Sequence, residues 1–136
     1  MLLAGGGIVK ILVVDDEPLA RKAMASLLSR FDDLEVVADC EDTFKAMKVL
    51  QEKRVDLMFL DIQMPGGDGL SCLEDIRAID RDAIVIMVTA LGRGPAEEES
   101  REKGASGYLV KPFQPEQLYE VIDHCLSDHE QGGWSH

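Results

Sequence analysis

Four short apolar runs in this chain each end on a residue able to do chemistry, and this repetition constrains the fold more than any other feature. Ile8 to Val14 runs into Asp15, Asp16 and Glu17. Leu57 to Leu60 runs into Asp61. Ala83 to Val88 ends in Thr89, and Ser106 to Val110 ends in Lys111 and Pro112. Short continuous apolar runs bounded by polar residues suit strands covered on both faces. Open α/β sheets place their chemistry at the C-terminal strand ends. Strands of one parallel sheet would carry an acidic pair, a lone aspartate, a threonine and a lysine to a single edge.

Helical patterns fill the intervals. Pro18 suits a first helical turn, and Ala20, Met24, Leu27, Leu28 and Phe31 follow at helical spacing. Leu34 to Ala38 reads as a further short strand. Phe44, Met47 and Leu50 form the stripe of a second helix. Asp68 can cap a third, which carries Leu70, Leu73 and Ile76. Leu118, Val121, Ile122 and Cys125 line the last. Alternation over five units predicts an α/β fold, a doubly wound five-stranded parallel sheet with helices on both faces. One segment departs from the pattern. Glu97 to Lys103 contains no apolar residue, so a weak or partly ordered fourth helix is expected within Gly92 to Lys103.

A length of 136 residues suits one domain, and a 46% hydrophobic content can fill its core. No apolar stretch approaches the ~20 residues of a membrane span, so no membrane partner is expected. The net charge of −12 repels phosphate backbones and argues against direct nucleic-acid binding by this segment. Cys40, Cys72 and Cys125 are widely spaced, and they read as buried reduced thiols of a cytoplasmic protein. Gly5 to Gly7 precedes its strand, whereas a phosphate-cradling loop follows one. The expected organisation is a flexible leader over 1–7, the domain over 8–128 and a tail over 129–136. In that tail, Gly132-Gly133-Trp134-Ser135-His136 resembles a glycine spacer and the start of an affinity tag. This reading leaves open an output domain beyond Asp128.

Asp15, Asp16 and Asp61 offer hard oxygen ligands of the kind Mg²⁺ prefers. Without a cation they would resist ionising together. Asp61 can attack a phosphoryl group to form an acyl phosphate. The Lys111 ammonium and Mg²⁺ would neutralise the developing charge, and Thr89 offers a hydroxyl donor. Taken singly, these residues have ordinary explanations: a helix cap, a loop carboxylate, a surface lysine. Their joint arrival at one edge is what favours the chemical reading. Tyr108, taken alone, reads as a half-buried strand aromatic with its hydroxyl in water. For the Lys111–Pro112 bond the base rate favours trans, since only ~5% of such bonds are cis. His124 and His129 have no partner motif and are expected in solvent.

V-V-D-D-E, L-D-I-Q-M-P-G-G-D-G, V-T-A and G-Y-L-V-K-P-F, in this order and spacing, resemble the receiver domain of two-component response regulators. The resemblance runs from about Ile8 to Leu126. It implies a flavodoxin-like strand order of 2-1-3-4-5, with Asp61 as phosphoacceptor. It implies Mg²⁺ held by Asp16, Asp61 and the Gln63 carbonyl, with Asp15 assisting through water. Thr89 and Tyr108 correspond to the switch pair and Lys111 to the phosphate-contacting lysine, with Ala90 and Pro112 beside them. Gln63 and Leu91 occupy the positions that control dephosphorylation. The partners implied are a histidine kinase or phosphotransfer protein as donor, and a downstream protein or output domain as target. D-D-E-P-L-A-R also resembles receivers that precede a LytTR-type DNA-binding domain.

Three other functions compete. A haloacid-dehalogenase-type phosphatase wants a second aspartate two residues after its nucleophile, whereas Asp15 is followed there by Glu17 and Asp61 by Gln63. A flavodoxin-like flavin protein wants a hydroxyl- and glycine-rich phosphate loop, whereas Asp15 to Pro18 would repel the phosphate. A receiver fold that signals without phosphate has no need of the intact acidic pair, Asp61, Thr89 and Lys111.

Overall fold

The computed structural model describes residues 7–64 and 67–129. The expected leader and tail lie almost wholly outside these residues. Strand and helix alternate as β1 (Val9–Val14), α1 (Pro18–Leu28), β2 (Leu34–Cys40), α2 (Thr43–Glu52) and β3 (Leu57–Asp61). Two short strands follow, β4 (Gln63–Met64) and β5 (Gly67–Asp68), and then α3 (Gly69–Ile79). The described residues close with β6 (Ile84–Thr89), α4 (Pro95–Glu102), β7 (Gly107–Val110) and α5 (Pro115–His129).

The main sheet has five strands in the order β2-β1-β3-β6-β7, all parallel. Counted along the main strands, this is the 2-1-3-4-5 order that the resemblance implied. The antiparallel pair β4–β5 is an addition the sequence did not reveal. Strand residues alternate between two apolar layers. Leu12, Val14, Met58, Leu60, Val85 and Met87 pack with residues of α2 and α3. Ile11, Val13, Leu57, Phe59, Ile86 and Val88 pack with residues of α1 and α5. Each such side chain, fully buried, is worth about 1.5–3 kcal/mol, so the interior strands are the mechanical base of the fold. The register then fixes the edge. Val14 lies beside Leu60, Asp61 beside Val88, and Thr89 beside Val110. Residues at or just past these positions emerge together.

Three local expectations need correction. Phe44 is 78% exposed; α2 instead buries Ala46, with Met47 and Leu50 packed at the margin. The fourth helix is regular despite its polarity. Ser100 is fully buried and its hydroxyl donates to the Ala96 carbonyl at 2.8 Å, so small residues make the contact that a leucine would otherwise make. Pro95 opens that helix, Glu97 and Glu98 sit in its first turn and Arg101 in its last, all favourable to the helix dipole. Finally, the Lys111–Pro112 peptide bond is cis, against the base rate. The three cysteines are buried and in no disulfide among the described residues, and His124 is exposed, as expected. The side chains of Asp68 and His129 lie outside the described residues, so neither the cap nor that histidine is placed.

Candidate functional site

The C-terminal sheet edge brings together every strand-end residue that the sequence singled out. Asp61 closes β3 and is only 5% exposed. Its Oδ1 accepts a hydrogen bond from the Gln63 amide at 3.0 Å, and its Oδ2 lies 3.6 Å from Lys111 Nζ. Asp15 follows β1 and is equally buried. Its Oδ1 accepts from the Glu17 amide at 3.0 Å, and its Oδ2 accepts from Lys111 Nζ at 2.7 Å. Asp16 is half-buried beside them. One carboxylate oxygen from each of Asp15, Asp16 and Asp61 falls within 4.8 Å of the others.

Electrostatics follow from this crowding. Burial pushes the Asp61 carboxyl above its ordinary value; the Gln63 amide and Lys111 oppose the shift, and the Asp15 and Asp16 charges reinforce it. For Lys111, burial works against the charge, but the Asp15 hydrogen bond and the Asp61 and Asp15 charges outweigh it and raise the pKa. A pocket with three carboxylates and one ammonium favours a further cation. Hard oxygens at this spacing fit Mg²⁺, which takes few carboxylates and keeps several waters.

Thr89 closes β6 and is fully buried. Its hydroxyl donates to Gln63 Oε1 at 3.4 Å and accepts from the Leu91 amide at 3.1 Å. The Lys111 amide donates to the Thr89 carbonyl at 2.8 Å, which ties the ends of β6 and β7 together. Tyr108 differs from its residue-level reading. It is buried, and its hydroxyl donates to the Gly92 carbonyl at 2.7 Å, not to water. Arg93 lies over its ring, 5.8 Å from the centroid, and pairs with Glu97. Burial raises the Tyr108 phenol; Glu97 adds to the shift and Arg93 opposes it. Leu91 is 54% exposed, while Ala90, Pro112 and Gln63 are also exposed around the rim.

The family model described as the response regulator receiver domain matches residues 11–123. The chain belongs to that receiver family. It is 37% identical to the chemotaxis protein CheY of Listeria monocytogenes, over 85% of this chain and 96% of that protein. It is 36% identical to the transcriptional regulatory protein BtsR of Salmonella typhi, over 84% of this chain but only 46% of that protein. A LuxR-family two-component response regulator of Aurantimonas superposes with a TM-score of 0.84 at 29% identity, covering 89% of this chain and 86% of that one. The receiver fold that the motif resemblance implied is therefore the fold observed, and its function is that of a phospho-accepting signalling domain.

Two residues that hold the receiver's site escaped the sequence reading. Gly69 opens α3 directly against β3: a Cβ there would stand 2.3 Å from the Asp61 carbonyl oxygen. Arg21 donates to the Asp15 carbonyl at 2.7 Å. Each stands inside a quoted motif, but only tertiary contact shows what it touches.

Proposed function

We propose that Asp61 is the phosphoacceptor of this receiver, and that a histidine kinase or phosphotransfer protein is its donor. The observation that carries this is the placement of Lys111 Nζ 3.6 Å from Asp61 within the three-carboxylate cluster. An Asp61 oxygen attacks phosphorus. The bond from phosphorus to the donor's imidazole nitrogen breaks, and its electron pair leaves with that nitrogen. Lys111 neutralises the oxygens of the transferred group. Thr89 turns its hydroxyl from Gln63 toward the same oxygens. A bound Mg²⁺ would supply positive charge for both the carboxylates and the phosphoryl group. Asp16, Asp61 and the Gln63 carbonyl would hold it, with Asp15 assisting.

The product carries roughly −2 additional charge at a buried edge, enough to bias a two-state surface. That surface lies around α4 and β7, where Tyr108 meets Gly92. The domain is a switch with intrinsic self-phosphorylation and self-dephosphorylation. The phosphatase alternative gains nothing from the structure, since Glu17 is the exposed N-cap of α1 and Gln63 lies on the exposed rim. Among the described residues no helix is long and apolar enough to cross a membrane. We place the domain in the cytoplasm, with a downstream protein or an output domain as its target.

Mass spectrometry after incubation with acetyl phosphate and Mg²⁺ tests the assignment. The parent should gain one phosphoryl group and Asp61→Asn should gain none. Equal gain by the variant refutes Asp61 as the acceptor.

A further inference from the structure

We infer that Arg21 is a positioning residue for the carboxylate cluster, acting through the main chain of Asp15 and held in place by Asp39. The inference rests on the Mg²⁺-binding reading given above. Arg21 lies on α1, and its guanidinium reaches across to the turn that leaves β1. Nη1 donates to the Asp15 carbonyl at 2.7 Å, while Nε donates to Asp39 Oδ1 at 2.9 Å. Asp39 is on β2, next to the strand end. The fork therefore spans from the second strand to the acidic turn.

The backbone of Asp15 is fixed from the other side as well. Its amide donates to the Cys40 carbonyl at 3.0 Å. The peptide before Asp15 is thus held by β2, and the peptide after it by the Arg21 side chain. That second peptide supplies the nitrogen of Asp16. Holding its plane sets the direction in which the Asp16 side chain leaves the backbone. The Asp15 carboxylate is meanwhile fixed by Glu17 and Lys111. Both carboxylates are aimed before a cation arrives, which removes an ordering cost from binding.

Charge alone predicts the opposite behaviour. A guanidinium beside the cluster repels a divalent cation, so an electrostatic role means that removing Arg21 tightens Mg²⁺ binding. A positioning role means that it weakens binding. The pair also provides its own control. Arg21 and Asp39 cancel in formal charge, so replacing both leaves the local charge sum unchanged and exposes orientation alone. Lysine at position 21 keeps the charge but not the planar fork, and it can serve only one of the two acceptors well.

The test is calorimetric titration of Mg²⁺ into the full chain, beside urea unfolding of each metal-free variant. Arg21→Ala with Asp39→Ala should bind Mg²⁺ about 10-fold more weakly, the low end for loss of a group supporting a metal ligand. Arg21→Lys should recover part of that loss. A merely structural role would lower the urea midpoint and leave affinity unchanged under folded conditions. If the alanine pair does not fold, Arg21→Gln with Asp39→Asn keeps the charge balance and most of the packing, and the same weakening is expected. Parent-like affinity in the neutral pair overturns the inference about Arg21 alone. A parent that binds no Mg²⁺ overturns the metal-site reading and this inference with it.

Discussion

Gly69→Ala is the smallest substitution that should damage both the fold and the site. The added carbon would lie 2.3 Å from the Asp61 carbonyl oxygen and 2.9 Å from the Ile62 Cα. Favourable carbon contacts begin near 3.5 Å, so the start of α3 and the end of β3 must separate by roughly 1 Å. Neither obstacle is the tip of a flexible side chain. The same movement stretches the hydrogen bond from the Gly69 amide to the Ile62 carbonyl, now 3.1 Å. Overpacking typically costs about 1–3 kcal/mol, and two backbone obstacles place this case near 3. At about 4 °C per kcal/mol for a domain of this size, Tm should fall by about 10 °C. Gly107→Ala is the comparison. Its Cβ would meet Cys125 Sγ at 2.8 Å and Val121 Cγ2 at 3.2 Å, both side-chain atoms that can give way, so about 1 kcal/mol is expected. Only the first variant should also slow phosphorylation, because only it shifts the Asp61 peptide. Displacement of a reacting group by about 1 Å can cost about 100-fold in rate. Thermal unfolding and acetyl phosphate kinetics, both below the variant's transition, supply the numbers. A Tm and a rate matching the parent would show that α3 can slide away from β3 freely, and the packing argument would fail.

Asp61→Asn should stabilise the metal-free protein at neutral pH. The folded Asp61 pKa is raised, chiefly by burial, so in the unfolded state this group gives up its proton at lower pH. Stability of the parent therefore falls as pH rises from the unfolded value of about 3.9 to the folded value, and stays lower above it. The variant's advantage at pH 7 should vanish below that window; urea unfolding across pH measures it, and an advantage that persists at low pH contradicts the titration argument. Leu91→Glu should speed loss of phosphate from loaded Asp61. A leucine at the rim can shield the phosphoryl group but cannot hold an attacking water, and glutamate can; decay followed after removal of the donor should be at least several-fold faster, a small part of the roughly 10²–10⁴-fold that well-placed general-base help contributes. Unchanged or slower decay would show that Leu91 swings clear, as its 54% exposure permits.

What could be read from the sequence was set by period and position. Strands buried on both faces leave continuous apolar runs, so β1, β3 and β6 were visible with their terminal chemistry attached. The sheet edge followed, because parallel strands present their C-terminal ends together. Helix α4 was underestimated because its anchoring uses Ser100 and Ala96, and small residues give no hydropathy signal. Phe44 misled in the opposite direction, since an apolar residue at helical spacing need not face the core. The orientation of Tyr108 was not legible because strand alternation gives the face of a residue and not the partner of its hydroxyl. Gly69 and Arg21 act on backbone atoms of a neighbouring strand end, and neither helical nor strand periodicity encodes such a contact.

In the proposed switch, the response to phosphorylation turns on how few partners the Thr89 hydroxyl has. Its single hydroxyl serves Gln63 Oε1 and the Leu91 amide. A phosphoryl group on Asp61 would compete for that hydroxyl, and turning it would withdraw the acceptor on which Leu91 rests. The next residue, Gly92, carries the carbonyl that receives the Tyr108 hydroxyl, and its φ of 77° is one that glycine adopts without strain. Gly94, at φ 134°, is a second glycine in a positive-φ conformation before α4 begins. The far end of α4 is tied down differently. Arg77 donates to the Gly104 carbonyl at 2.9 Å, to the Ala83 carbonyl at 2.6 Å and to the Ser106 hydroxyl at 3.3 Å, joining α3 to the loop that follows α4. A disturbance at Thr89 therefore meets a helix that is clamped at its C-terminal end and joined through glycines at its N-terminal end. On the proposed reading, the least costly response would be a pivot of α4 about Gly104, which would break the contact between Tyr108 and Gly92.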